Sequence, residues 1–129
     1  MKNRVKKKRV HFGYRLIPVS DVAQKLITEP IQIWENKVIF GNDPAEEIIN
    51  IQHSSIAMVH TQITIKTNGD ILIKDEGANA GTWINYKQIL GSKPQPIKDG
   101  DIIHIGEAGF RIQVLERKSE SALVEEKKK

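Results

Sequence analysis

The 129-residue chain contains no cysteine. Disulfide scaffolds, thiolate zinc sites and cysteine nucleophiles are thereby excluded, and any folded domain must be held by its own apolar core. Aromatic residues are scarce: three Phe, two Tyr and two Trp. So few cannot interleave with cations as a base-stacking surface does. No run reaches the ~18 apolar residues expected of a membrane-spanning helix. The basic N-terminus is not followed by the apolar stretch of a signal peptide. Also missing are a Walker-type loop, a Gly-x-Gly-x-x-Gly turn and a Ser/His/Asp set with a nucleophile elbow. These absences argue for a non-enzymatic chain with no cofactor and no small-molecule substrate.

Charge is present but unevenly placed. The formal net charge is +4. Residues 1–10 carry six basic side chains (Lys2, Arg4, Lys6, Lys7, Lys8 and Arg9) and no acidic one. Residues 117–129 carry five basic and three acidic side chains, which leaves 11–116 with nine basic and thirteen acidic. The expected organisation is a basic arm (1–10), a mildly acidic domain (11–116) and a charged tail (117–129) without apolar periodicity.

Within 11–116 the apolar residues are mostly Ile and Val, which favours strands. Strand signals fall at 11–19, 31–34, 37–40, 47–51, 60–67, 70–74, 82–85, 88–89, 95–97, 101–105 and 109–115. Between them lie turn signals: Glu35-Asn36, Gly41-Asn42-Asp43-Pro44, Asn68-Gly69 and Asp99-Gly100. The segment 20–29 is open between a short helix capped by Ser20 or Asp21 and an irregular loop. About ten short strands with regular turns and no long helix predict an all-β sandwich or barrel.

Four stretches then occur in order: Val38-Ile39-Phe40-Gly41-Asn42-Asp43-Pro44, Ile56-Ala57-Met58-Val59-His60, Gly81-Thr82-Trp83-Ile84-Asn85, and Ile97 to Gly106 around Asp99-Gly100-Asp101. Together they resemble the forkhead-associated (FHA) domain. That family's pattern is a strand ending in Gly-Arg, then Ser-x-x-His, then Ser-x-Asn-Gly-Thr-aromatic-aliphatic-Asn, then a hydrophobic residue before x-x-Gly-Asp. The resemblance covers about 11–116. It implies an FHA-like β-sandwich of about ten to eleven short antiparallel strands whose loops at one end bind phosphothreonine peptides. Residues 75–86 and 101–110 also resemble a bacterial subgroup, whose members often lie on the cytoplasmic side of a membrane anchor.

The resemblance also implies which positions carry which role. Gly41, His60, Gly81, Thr82, Asn85, Gly100 and Asp101 match the structural frame. The contact positions differ. Asn42 stands where relatives have the phosphate-binding Arg, and Ala57 where they have the Ser, with Met58 beside it. Ala80 replaces the Asn that holds the peptide backbone, and Asn79 stands where some members have a Thr that touches the peptide. These five are the candidate binding residues of the apical loops. A phosphate brings about −1.5 to −2 charges at pH 7, and an Arg fork suits it. Each lost charge-assisted bond removes on the order of 1.5–3 kcal/mol. The expected function is a protein–protein interaction module that works without phosphate. Residual phosphothreonine binding through Ser54, Ser55, Lys66, Lys87 or Lys93 is the alternative.

The remaining candidates have plainer explanations. His11, His53, His60 and His104 share no ligand spacing, and the Asp-Gly pairs suit turns, so no metal site is expected. Trp83 is expected in the core and Trp34 on the solvent side. His104, between Ile103 and Ile105, should face away from the core. The basic arm is open between a solvated terminus, a salt-dependent nucleic-acid contact and a flank beside a membrane tether supplied by preceding sequence. Anionic lipid is a further partner for it. Nucleic acid is disfavoured, and a cytoplasmic location follows from the subgroup resemblance. A β-sandwich enzyme with a deep polar pocket is the remaining class.

Overall fold

The computed structural model describes residues 10–45 and 47–118. The basic arm 1–9 and the tail from 119 onward lie outside the described residues. Eleven strands and one short helix follow in order: β1 (Val10–Pro18), α1 (Asp21–Leu26), β2 (Ile31–Ile33), β3 (Lys37–Gly41), β4 (Ile48–Asn50), β5 (Thr61–Ile65), β6 (Ile71–Asp75), β7 (Thr82–Ile84), β8 (Lys87–Gln88), β9 (Gln95–Ile97), β10 (Ile102–Ile105) and β11 (Ala108–Lys118). They form a six-stranded sheet in the order β2-β1-β11-β10-β7-β8 and a five-stranded sheet in the order β4-β3-β5-β6-β9.

The period of two decides what faces inward. On β5, Thr61, Ile63 and Ile65 are buried, with Gln62 and Thr64 between them half-buried. On β10, Ile103 and Ile105 are buried while Ile102 and His104 turn outward. The core fills with Tyr14, Leu16, Phe110 and Ile112 from one sheet and Phe40, Ile63, Ile71, Ile73 and Ile97 from the other. Isoleucine dominates because a β-branched chain packs well on a pleated, buried surface.

One segment that the sequence left open is decided, and other elements take a form different from the expected one. The segment 20–29 resolves as a helix of six residues capped by Ser20, whose Oγ accepts the Ala23 N–H at 3.1 Å. The same Oγ accepts the Gly109 N–H at 2.8 Å, and the hydroxyl donates to the Glu107 carbonyl. Glu35-Asn36 is a link between sheets and not a hairpin, because β2 pairs with β1 while β3 pairs with β5. One pair is parallel: β4 runs alongside β3, with Ile39 opposite Ile48. The turn cluster after Gly41 carries the chain back before it re-enters in the same direction. At the ends, β11 extends through Lys118 and β1 begins at Val10, with Val10 opposite Lys118. The charged residues Arg117 and Lys118 thus belong to the sheet, where backbone pairing does not require apolar side chains.

Trp83 is not a core residue. Thr82 turns inward, fully buried, so its neighbour must face outward. His104 does face away from the core, directly opposite Trp83 in the β7–β10 pairing. Trp34 covers Gly13 on the outer face of β1, where an added Cβ would stand 2.5 Å from the indole.

Candidate functional site

One pole of the sandwich gathers the loops that the sequence singled out. The chain reaches it through the ends of β3, β6 and β10 and the starts of β5, β7 and β11. The loops after Gly41, before His60 and before Gly81 are tied to one another by named bonds. The Asn42 N–H donates to the Ala57 carbonyl at 2.9 Å, and the Asn42 side-chain amide donates to the His53 carbonyl at 3.2 Å. Gly41 has no room for a side chain, because a Cβ there would run into the Met58 carbonyl. Two loops therefore meet in backbone contact.

His60 joins the second loop to the third. It is fully buried. Its Nδ1 accepts the Ala57 N–H at 3.0 Å. The proton must then sit on Nε2, which donates to the Gly81 carbonyl at 2.8 Å. Gly106 N–H reaches the same carbonyl at 3.0 Å, which brings in the β10–β11 turn.

Beneath the third loop runs a second chain of bonds. Asp75 Oδ1 accepts the Thr82 hydroxyl at 2.6 Å. Thr82 has one proton to give, so the Thr61 hydroxyl 2.7 Å away is the donor to it. Asp75 Oδ2 takes the N–H groups of Gly77 and Ala78 at 2.9 and 3.2 Å. Asp75, the last residue of β6, is a site residue that motif matching missed. Its signal was the carboxylate two residues ahead of Gly77, the pattern of an Asx turn.

Asn85, Gly100 and Asp101 lie away from this pole and brace the opposite corner. Asn85 donates to Asp101 Oδ1 at 3.1 Å and accepts the Ile102 N–H at 2.9 Å. Asp101 Oδ2 accepts the Lys98 N–H at 2.8 Å around Gly100, whose φ is +91°.

The five candidate contact residues divide. Asn42, Ala57 and Met58 come together through the bonds above. Met58 is 65% exposed and Val59 is 42% exposed, so the second loop offers an apolar tip. Asn79 is exposed and Ala80 half-buried on the neighbouring third loop. Ser55 is committed elsewhere. Its Oγ accepts the Glu107 N–H at 3.0 Å and lies 3.0 Å from His53 Nδ1. Lys66 adjoins the Asn68-Gly69 turn, whose Gly69 packs near Phe12 at the other pole. Lys93 follows Gly91 and Ser92, which border Lys74, Asp75, Glu76 and Gly77 across an open cavity; Lys93 itself does not line it. The stretches 41–60 and 75–81 contain Asp43, Glu46, Glu47, Asp75 and Glu76 and no Lys or Arg. Among the described residues, no group of three or more His, Cys, Asp or Glu side chains is placed to share a metal ion.

On the outer face of the six-stranded sheet, just below this pole, Ala80, Trp83, Tyr86, His104, Gly106 and Glu107 line an open cleft of about 480 Å³. The Trp83 indole N–H donates to the Ala80 carbonyl at 3.0 Å, which fixes the ring. The Tyr86 ring lies 5.3 Å from that of His104, tilted by 49°. Burial lowers the His104 pKa below its ordinary 6.5. Tyr86 follows Asn85 in the β7–β8 turn, and both have positive φ, +48° and +69°. A two-residue turn of this kind favours Asn-Gly, so a tyrosine in the second place costs backbone strain.

A two-sheet sandwich whose loops converge on one acidic, bond-stitched pole is the architecture of a β-sandwich binding domain. A family model described as FHA domain matches residues 38–106, more than half of the chain. The chain belongs to the FHA domain family, whose domains are protein–protein interaction modules. Solved structures agree on the fold. The FHA domain of an Arabidopsis thaliana hypothetical protein superposes with a TM-score of 0.72 at 20% identity, over 89% of this chain and 96% of that one. The FHA domain of CT664 from Chlamydia trachomatis gives 0.67 at 20% identity, over 78% and 96%. Mycobacterium tuberculosis EmbR, solved in complex with a low-affinity phosphopeptide, gives 0.64 at 17% identity, over 78% of this chain and 24% of EmbR. No curated protein sequence matches the chain.

Proposed function

We propose that this domain recognises a partner protein through its polar loops without requiring a phosphate. One observation carries the reading: the positions matched to the family's phosphate grip hold Asn42, Ala57 and Ala80, and the one amide among them is already bonded to the His53 carbonyl. Phospho-motif readers rely on Arg clusters, and 41–60 and 75–81 contain none. A phosphate approaching this pole meets Asp43, Asp75 and Glu76 instead, and the nearby Lys74 ammonium is paired with Glu76 at 4.0 Å. Loss of two charge-assisted bonds, at roughly 1.5–3 kcal/mol each, moves a micromolar affinity to about millimolar or weaker. The exposed Met58 and Val59 supply the apolar contact that replaces it.

The test is fluorescence anisotropy against a library of phosphothreonine peptides and their unphosphorylated copies. The two sets should bind alike, with less than threefold preference for the phosphorylated member. Micromolar binding with tenfold or greater preference for phosphate would overturn the reading. In the same assay the double variant Asn42→Arg, Ala57→Ser should gain a measurable phosphate preference.

A further inference from the structure

We propose that the cleft between Trp83, Tyr86, His104 and Glu107 receives an arginine side chain from a partner segment. Three features of the cleft select that occupant. Its walls are π faces: Trp83 and His104 stand opposite each other on neighbouring strands, and Tyr86 leans over His104. A guanidinium stacks on such faces and is attracted by their quadrupole. The rim carries the exposed Glu107, whose carboxylate fits the guanidinium fork. Within the lining no cation opposes it, since burial of His104 favours the neutral ring.

The same sheet face already shows this chemistry elsewhere. The Arg117 guanidinium lies 4.2 Å from the centre of the Trp34 ring. At the Trp83 cleft the aromatic platform is built in the same way, and none of its lining residues is a Lys or Arg. Tyr86 gives the second, independent pointer. It is 70% exposed and held at φ +69°, where glycine is the unstrained choice. Backbone strain kept for a side chain that packs into no core is a mark of a ligand contact. Ala80 lines the cleft and also sits on the third polar loop, so a bound segment crossing that loop would bring one side chain to the cleft. Glu107 is the only charged carboxylate of the lining, so the charge complementarity is centred on it.

The probe is N-acetyl-arginine amide, with N-acetyl-citrulline amide as its uncharged isostere, titrated into the full chain and followed by the Trp83 indole N–H in proton–nitrogen NMR spectra. The arginine probe should give a saturable shift in the millimolar range, at least fivefold tighter than citrulline. Tyr86→Gly and Glu107→Gln should each weaken it threefold or more, while Tyr86→Gly, which relieves the turn, melts no lower than the parent. Equal shifts from both probes, no saturation, or indifference to Tyr86→Gly would overturn the assignment. The outcome is separable from phosphate independence: Asn42→Arg, Ala57→Ser should leave the arginine titration unchanged.

Discussion

Replacing His60 by alanine should be among the most costly single changes in the polar loops. The imidazole is fully buried and makes two bonds, from the Ala57 N–H at 3.0 Å and to the Gly81 carbonyl at 2.8 Å. Each is worth about 1 kcal/mol net. Their loss is unequal in its consequences. The Gly81 carbonyl keeps the Gly106 N–H at 3.0 Å, so it is not stranded. The Ala57 N–H is left without that acceptor, which adds about 1–2 kcal/mol. The vacated ring volume adds roughly another 1 kcal/mol in lost packing. The total is about 4 kcal/mol, a large fraction of the ~5–15 kcal/mol that stabilises a typical domain. For a domain near a hundred residues, about 4 °C or more is lost per kcal/mol. The melting temperature should thus fall by ~15 °C or more. Urea unfolding of His60→Ala beside His53→Ala is the assay. The His53 bonds to Ser55 stay within one half-exposed loop, so that control should cost less than about 1 kcal/mol. Hydrogen exchange at Ala57 should accelerate in His60→Ala alone. If His60→Ala costs no more than the control, the loops are not held by this ring and the stitching argument fails.

Tyr14 and His104 give two further expectations. The Tyr14 hydroxyl is buried without a hydrogen-bond partner among the described residues, so Tyr14→Phe should leave stability unchanged or raise it by about 1 kcal/mol; a loss beyond that would show the hydroxyl to be bonded. Burial, and then the charge of Glu35, push the Tyr14 phenol well above its ordinary 10.0. An acid raised by folding contributes stability that is lost as pH climbs past the unfolded value, so Tyr14→Phe should also resist unfolding above pH 10 better than the parent. His104 has the opposite sense. Its folded pKa is lowered by burial from 6.5, so the unfolded chain takes up the proton first and stability falls as pH drops below 6.5. The imidazole NMR titration of His104 should show a midpoint below 6.5, and one at or above it would contradict the burial argument.

The strands were legible where alternation and turn chemistry agree. Thr61–Ile65 and Ile71–Asp75 around Asn68-Gly69 form the hairpin their sequence implies, with Ile65 opposite Ile71. The pairing partners were less legible, because a short strand does not state which neighbour it joins. Ile31–Ile33 and Lys37–Gly41 look like a hairpin, yet they lie in different sheets. At the candidate site, Gly41, His60 and Gly81 were found by motif order. Asp75 was not, because its role depends on Thr82 turning inward. The same inward turn sends Trp83 outside, and with it the cleft, which no linear pattern announces.

The pairing of Val10 with Lys118 fixes how such a domain is carried. Opposed residues on antiparallel neighbours lie about 5 Å apart, so the two ends of the folded unit leave almost from one point. That point is the pole opposite the recognition loops, since the other end of β1 leads into Ser20, which bonds Glu107 beside Ser55. Nine residues of strand separate the two poles along β1, about 27 Å at the usual rise. Because β1 and β11 run antiparallel, the chain enters and leaves the folded unit in opposite directions at the same pole, and the recognition loops lie at the far one.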